Sequence, residues 1–346
     1  MALRYLMVAA WVLAASVVAA EETAPLARFS RSELHMGVEF EVVLYAANEK
    51  QADEAFTKAM ARIAALDRAL SDYDLESELS KLSETSNRGG EAAAVRVSDD
   101  LWAVLSQARE ISAASEGAFD VTIGPLSKLW RRARRWKELP EADALASAKL
   151  GVGYRALVLN RRGQTAKLMK PNMRLDLGGI GKGYAVDEAV KVVLGCGITR
   201  VLARASGDIA CADAPPGERG WRIGIAPLDP REPPTRFLEL ANRGVSTSGD
   251  ARQHLIVDGR RYSHIIDPRT GECVRGRSSV TVIAPRGMLA DGLDTAACVI
   301  GPDGAKELMQ QFAGVEMLMV SEDENGRQRN VETTGFKKFE KYEKCE

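Results

Sequence analysis

Between Asp176 and Tyr184 the chain reads DLGGIGKGY, with four glycines in six positions leading into an apolar stretch. Such a run is costly inside a strand or a helix, because glycine gives up more backbone freedom on folding than any other residue. It marks a turn that opens a helix, predicted here from about Gly183 to Leu194. A turn of this kind lets backbone N–H groups approach an anion, and a helix N-terminus favours negative charge. Lys182 would add a point charge. The segment matches neither the dinucleotide fingerprint nor the P-loop, so on its own an anion site and an ordinary turn both stay open.

The pattern around this turn mixes helices and strands without a βαβ rhythm. Residues 37–47 alternate as a strand should, and residues 51–71 place Ala55, Ala59, Ile63, Leu66 and Leu70 at helical spacing. Ser98 or Asp99 caps a second helix that ends near Gly117. Residues 131–150 read as helical and exposed, and a strand is expected at 156–159. Short strands then dominate, at Val201–Ala205, Trp221–Ala226, Phe237–Leu240, His254–Val257 and Ser279–Ala284. Late helices fit 290–299 and 303–312, and a last strand fits 316–321. Residues 212–220 and 227–235 are Pro-rich loops. There are no repeats and no long linker, so the expectation is an α+β fold. The one basic cluster, RRARRW at 131–136, reads as a solvated helix face.

The N-terminus is a separate segment. Arg4 precedes an apolar run from Tyr5 to Ala20, and Val18-x-Ala20 before Glu21 fits a small-residue cleavage site. The run is short for a membrane span. Residues 1–20 are therefore expected to be a secretory signal peptide, with residues 21–346 exported to the periplasm. No cysteine stands at the cleavage point for a lipid anchor, and no twin Arg is present, which predicts export of an unfolded chain. Formal net charge is −1, so nothing global points to nucleic acid. The five cysteines form no CxxC pair and have no His-rich neighbourhood, which excludes an ordinary zinc site and leaves small core residues as their reading.

Three further segments stand out. SHIIDPRTG (263–271) combines turn chemistry with His264, one of only three histidines, which can donate, accept or take a proton. A His packed at a strand end explains it equally well. ADGLDT (290–295) places Asp291 and Thr295 at i, i+4, so that both oxygens share a helix face, as Mg²⁺ with few protein ligands would require. The plain alternative is an N-cap Asp. GAFDVTIGPL (117–126) sets small residues beside Phe119, as a stacking slot or a buried loop would.

Taken in order, these segments resemble the ApbE-type FAD:protein FMN transferases. The family's MGT opening stands here as Met36-Gly37-Val38, and its S-T-Y-x-x-x-S-E-L-S-R-L pattern as SDYDLESELSKL (71–82). GAFDPTVGPL stands as GAFDVTIGPL, and DLGGIAKGYAVD as DLGGIGKGYAVD (176–187). TSGDY stands as TSGDA (247–251), SHIIDPRTG is intact, and ADALATA stands as ADGLDTA (290–296). Val38, Val121 and Ala251 depart from the pattern. The likeness runs from Met36 to Gly301, the expected core of the domain.

The resemblance implies a T-fold-like α+β arrangement of antiparallel sheets flanked by helices. It implies FAD contacts from Met36, Tyr73, Ala118, Phe119, Asp120, Asp176, Lys182 and Ile265. It implies Mg²⁺ ligation by Asp291 and Thr295 with a backbone carbonyl near Gly179. The reaction implied is transfer of FMN from FAD to a Thr or Ser hydroxyl of an acceptor protein, with release of AMP. The acceptor would be an exported or membrane subunit of a redox complex, which would bring the enzyme to the membrane face. A base near the metal is needed to take the hydroxyl proton, and His264 and Asp250 are both candidates. Two other activities would use the same residues: Mg²⁺-dependent hydrolysis of FAD to FMN and AMP, or flavin binding without catalysis.

Overall fold

The computed structural model describes residues 25–87, 93–229, 231–249, 254–323 and 325–341. The expected signal peptide, Asp250 and Cys345 lie outside these described residues.

Asn48 separates the first hairpin from the first helix. Strands β1 (Ala27–His35) and β2 (Val38–Ala46) precede it, and α1 (Glu49–Leu70) follows. Its side chain accepts from the Gln51 N–H at 3.0 Å, meeting one of the donors that a helix start leaves unpaired. The buried residues of α1 (Ala52, Ala55, Phe56, Ala59, Met60, Ile63, Leu66 and Leu70) recur every three or four positions. The sequence pattern found β2 and α1 but missed β1. That strand lies at a sheet edge and buries none of its side chains, so it carries no alternation to read.

Helix α2 (Glu78–Glu84) begins at Ser77, and strand β3 (Val95–Arg96) leads to α3 (Asp99–Ala114). Ser98 caps α3 by accepting from the Leu101 N–H at 3.2 Å. Glu116 (φ 52) and Gly117 (φ 82) then end it in left-handed backbone, at one position where glycine is needed. Helices α4 (Gly124–Trp136) and α5 (Ala142–Leu150) divide the stretch that reads as one exposed run. The break is at Lys137, also left-handed (φ 59), and Trp130 and Ala133 on α4 are buried. Strands β4 (Leu157–Asn160) and β5 (Thr165–Leu168) join β3 in a small sheet of order β3-β5-β4.

The remaining elements are α6 (Gly181–Gly195), β6 (Val201–Ala205), β7 (Asp208–Cys211), β8 (Trp221–Gly224), β9 (Phe237–Leu240), β10 (Arg243–Gly249), β11 (His254–Val257), β12 (Arg260–Ser263), β13 (Arg277–Ala284), α7 (Gly287–Ile300), α8 (Pro302–Gln310), β14 (Glu316–Glu322) and β15 (Gln328–Glu332). Eight strands form one sheet, β1-β2-β6-β7-β10-β13-β14-β15, with every neighbour antiparallel.

Both faces of this sheet are covered, and alternation along the strands says which side chains go where. Phe40, Val42, Leu44, Ala203, Val280 and Val282 point to the helical side and share a core with α1, α3, α6 and α7. Val43, Leu202, Ile283 and Leu318 point the other way, against Trp221 and Leu238 of the β8–β9 hairpin and against Phe336. The α+β class with antiparallel sheets flanked by helices is therefore the observed one. Cys211, Cys273 and Cys298 are buried and Cys196 is half-buried, and all four are free thiols. No helix among the described residues is long and apolar enough to cross a membrane.

Candidate active site

The glycine turn works first as a packing device. Helix α6 crosses α7 so closely that a Cβ on Gly183 would lie 2.4 Å from the Gly287 carbonyl oxygen and 2.7 Å from Asp291 Cβ. No larger residue fits there. The close approach lets the Gly183 N–H donate to Asp291 Oδ2 at 2.9 Å. At Gly179 a Cβ would come within 3.0 Å of Thr295 Oγ1, so the backbone of the turn lies against that hydroxyl. Asp291, Thr295 and Gly179 are thus brought together, although Gly179 is far from the other two in the chain.

A cleft of about 1380 Å³ opens over this junction. It is lined by every described residue that the sequence singled out: Met36, Tyr73, Ala118, Phe119, Asp120, Asp176, Gly179, Lys182, His264, Ile265, Asp291 and Thr295. Asp250 falls outside the described residues, immediately after β10.

These residues play different local parts. The Met36 N–H donates to Asp67 Oδ2 at 2.9 Å, which ties the β1–β2 turn to the end of α1. Tyr73 is exposed at the rim, with the Arg131 guanidinium 4.5 Å from its ring centroid. Asp120 is buried and braces its own loop, accepting from the Thr122 N–H at 2.8 Å and the Tyr154 N–H at 2.7 Å. Asp176 accepts from the Gly178 N–H at 2.8 Å and from Arg131 at 2.8 Å. His264 and Ile265 ride on a braced loop. The Ile265 N–H donates to Ser263 Oγ at 3.1 Å, the Gly271 N–H donates to the Asp267 carbonyl at 2.8 Å, and the Trp130 indole N–H donates to the Gly271 carbonyl at 2.9 Å.

Three buried carboxylates surround one ammonium at the centre. Lys182 Nζ is 2.8 Å from Asp208 and 3.6 Å from Asp291. Ser246 Oγ bridges Asp208 at 2.6 Å and Asp294 at 2.5 Å. Burial disfavours the charged form of Lys182, but Asp208 and Asp291 outweigh it and hold the ammonium well above its usual range. Burial raises Asp291 and Asp294 as well, above the ordinary carboxylate range, helped by repulsion from Asp208 on Asp291 and from Asp291 and Asp208 on Asp294. Fully ionised, three carboxylates would outweigh the one ammonium, and that repulsion favours a proton on Asp291 and Asp294. Among the described residues no three His, Cys, Asp or Glu side chains form a ready-made metal cage. The donor set of Asp291, Thr295 and the Gly179 backbone still fits a hard divalent cation that takes few protein ligands and keeps water and phosphate oxygens.

Sequence reasoning missed several of these residues. Asp208 sits in an unremarkable strand start, and Ser246 gives no signal at all. Asp294 lies inside the singled-out ADGLDT segment but was given no part. The basic cluster is corrected: Arg132 and Arg135 are solvated, whereas Arg131 and Arg134 turn inward and line the cleft. Arg131 pairs with Asp72 and Asp176.

Comparison with known proteins adds the family. The model of the ApbE family matches residues 36–319. The chain belongs to the ApbE family. Within it, the chain is 32% identical over 295 residues to a FAD:protein FMN transferase of Klebsiella pneumoniae, covering 84% of this chain and 83% of that one. The transferase of Salmonella typhimurium is also 32% identical, over 297 residues, with the same coverage. A variant of flavin transferase ApbE from Vibrio cholerae superposes with a TM-score of 0.79 at 28% identity, covering 90% of this chain and 99% of that one. The apo form of flavinyl transferase ApbE from Pseudomonas stutzeri gives 0.79 at 27% identity, covering 91% and 97%.

Proposed function

We propose that this chain is a FAD:protein FMN transferase that moves FMN from FAD onto a Ser or Thr hydroxyl of an acceptor protein, with Mg²⁺ as cofactor and AMP as the other product. The observation that carries this reading is the convergence of Asp291, Thr295 and the Gly179 backbone in one cleft. That cleft is larger than the roughly 300–1,000 Å³ of an ordinary small-molecule pocket, as a dinucleotide and an acceptor side chain together would need.

Asp291 and Thr295 would hold the metal, with the Gly179 carbonyl beside them. A bound Mg²⁺ would offset the charge that builds on the pyrophosphate as AMP leaves. The chain's own residues supply the rest. Lys182 keeps its charge through Asp208 and presents it beside the glycine turn. Tyr73 offers a flat ring at the rim for stacking of the flavin. Either His264, which lines the cleft, or Asp250 would take the acceptor proton. The apolar run from Tyr5 to Ala20 supports an exported enzyme acting on an exported or membrane redox subunit.

The test is direct. Purified protein is incubated with FAD, Mg²⁺ and candidate exported redox subunits. A mass gain equal to FMN less one water on one subunit, with in-gel flavin fluorescence and AMP released in equal amount, is the expected result. Production of FMN and AMP with no labelled protein would make the chain a FAD hydrolase instead.

A further inference from the structure

Helix α4 presents one stripe to the cleft, formed by Ile123 at its cap and by Ser127, Arg131 and Arg134, residues three or four apart. The two arginines on that stripe are not equivalent. Arg131 is neutralised, because its guanidinium pairs with both Asp72 and Asp176. Arg134 is not. Its Nη1 is shielded from solvent and has no hydrogen-bond partner among the described residues. Burial, and the like charge of Arg131, lower its pKa from the usual value, and the more distant Asp176 offsets this only in part. The titratable group that bears on it most is the Cys273 thiol, which burial pushes up to about 12 and so leaves neutral. A half-buried guanidinium with an orphaned N–H costs stability unless something satisfies it. Arg134 lines the cleft, one turn along α4 from an arginine that reaches the start of the glycine turn.

We propose that Arg134 is an anion-binding residue of this cleft, its unpaired guanidinium donating to a phosphate oxygen of the flavin nucleotide. The inference rests on the reading of the cleft as a FAD site, and it assigns a contact separate from the one at Asp291 and Thr295. A guanidinium suits the task because it stays charged when half-buried and its planar donors match phosphate oxygens.

The test compares Arg134→Met with the wild type in binding FAD, FMN and riboflavin, by flavin fluorescence in EDTA so that the cation site does not contribute. The Met variant should weaken FAD and FMN by about tenfold or more, as loss of a charge-assisted hydrogen bond implies, and leave riboflavin within about twofold. Its apoprotein should melt at the same temperature as the wild type or higher, because an unpaired buried charge has been removed. A side chain with only a packing role would lower the melting temperature and leave FMN and riboflavin equally affected. Arg134→Gln, which keeps a donor without the charge, provides the same comparison should the Met variant fail to fold. Unchanged FAD and FMN affinity in a folded variant overturns the assignment, and so does an equal loss for riboflavin, which would put the contact on the ring. Failure of the wild type itself to bind FAD would instead overturn the reading of the cleft.

Discussion

The Gly183 N–H donates to Asp291 Oδ2 across 2.9 Å, so the first turn of α6 holds the carboxylate that α7 carries into the cleft. The bond exists because residue 183 has no side chain. Gly183→Ala would drive a Cβ against the Gly287 carbonyl and force the helices apart. Transfer activity should fall at least about tenfold and the melting temperature should drop, by analogy with overpacked cores that lose roughly 1–3 kcal/mol. Gly181→Ala is the control. Its Cβ would meet Leu177 Cβ at an ordinary 3.7 Å, and both activity and melting should stay near wild type.

Asp291→Ala should keep FAD binding within about one order of magnitude while transfer falls by roughly a hundredfold or more, because in the proposed reaction a metal would be needed most as AMP departs. Thr295→Val should be milder, since a neutral hydroxyl is the weaker partner for a hard cation. Activity titrated with Mg²⁺ after EDTA treatment reads both effects. Near wild-type transfer by Asp291→Ala would leave that residue as a brace for α6 and nothing more.

Tyr73→Ala should raise the FAD Kd about tenfold, since an aromatic contact is worth on the order of 1 kcal/mol or more. Tyr73→Phe should bind as the wild type does, because the proposed contact is with the face of the ring and not with the hydroxyl. Calorimetry decides it, and equal affinity for all three proteins would remove Tyr73 from the flavin site.

Asp187 gives a pH signature. It caps α7, accepting from the Gly287 N–H at 2.7 Å and the Met288 N–H at 2.9 Å, yet burial pushes it up to about 6. The folded state thus holds this proton more tightly than the unfolded chain, where a carboxyl titrates near about 4. Its contribution to stability is full below about pH 4 and is lost as pH rises through about 6. Asp187→Asn cannot titrate and loses a cap acceptor, at about 1 kcal/mol at any pH. The stability of the wild type relative to the variant should therefore fall between about pH 4 and 6, read as the difference of two urea midpoints. A constant difference would show that burial does not shift this carboxyl.

The α+β class and the segments that line the cleft were legible in the sequence, but the contacts between them were not. Asp291 and Thr295 share a helix face by spacing alone, and the glycine turn announces a close approach without saying to what. What lies against Gly183 is α7, from a distant part of the chain, and no local pattern reveals that. Asp208 and Ser246 were invisible for the same reason: each is an ordinary polar residue on a strand until the fold brings Asp208 to Lys182 and Ser246 to Asp208 and Asp294. Strand β1 was lost because an edge strand with no buried side chain shows no alternation. Arg131 and Arg134 were lost because a basic run looks the same whether its helix faces water or a cleft; only the stripe of residues three or four apart separates the two.

The pairing of β2 with β6 sets Leu44 opposite Val201, across most of the first half of the chain. Tyr73, Lys182 and Asp291 come from equally distant stretches, and no shorter fragment contains a usable part of the cleft. Loop closure over such spans is slow, so this protein should gain flavin affinity late in refolding rather than in steps. A nascent chain released before α7 would bury much of its core and still be unable to hold a nucleotide. Were the chain exported unfolded, as proposed, it could not bring flavin along inside it and would have to find its FAD on the far side, after the last strands had closed.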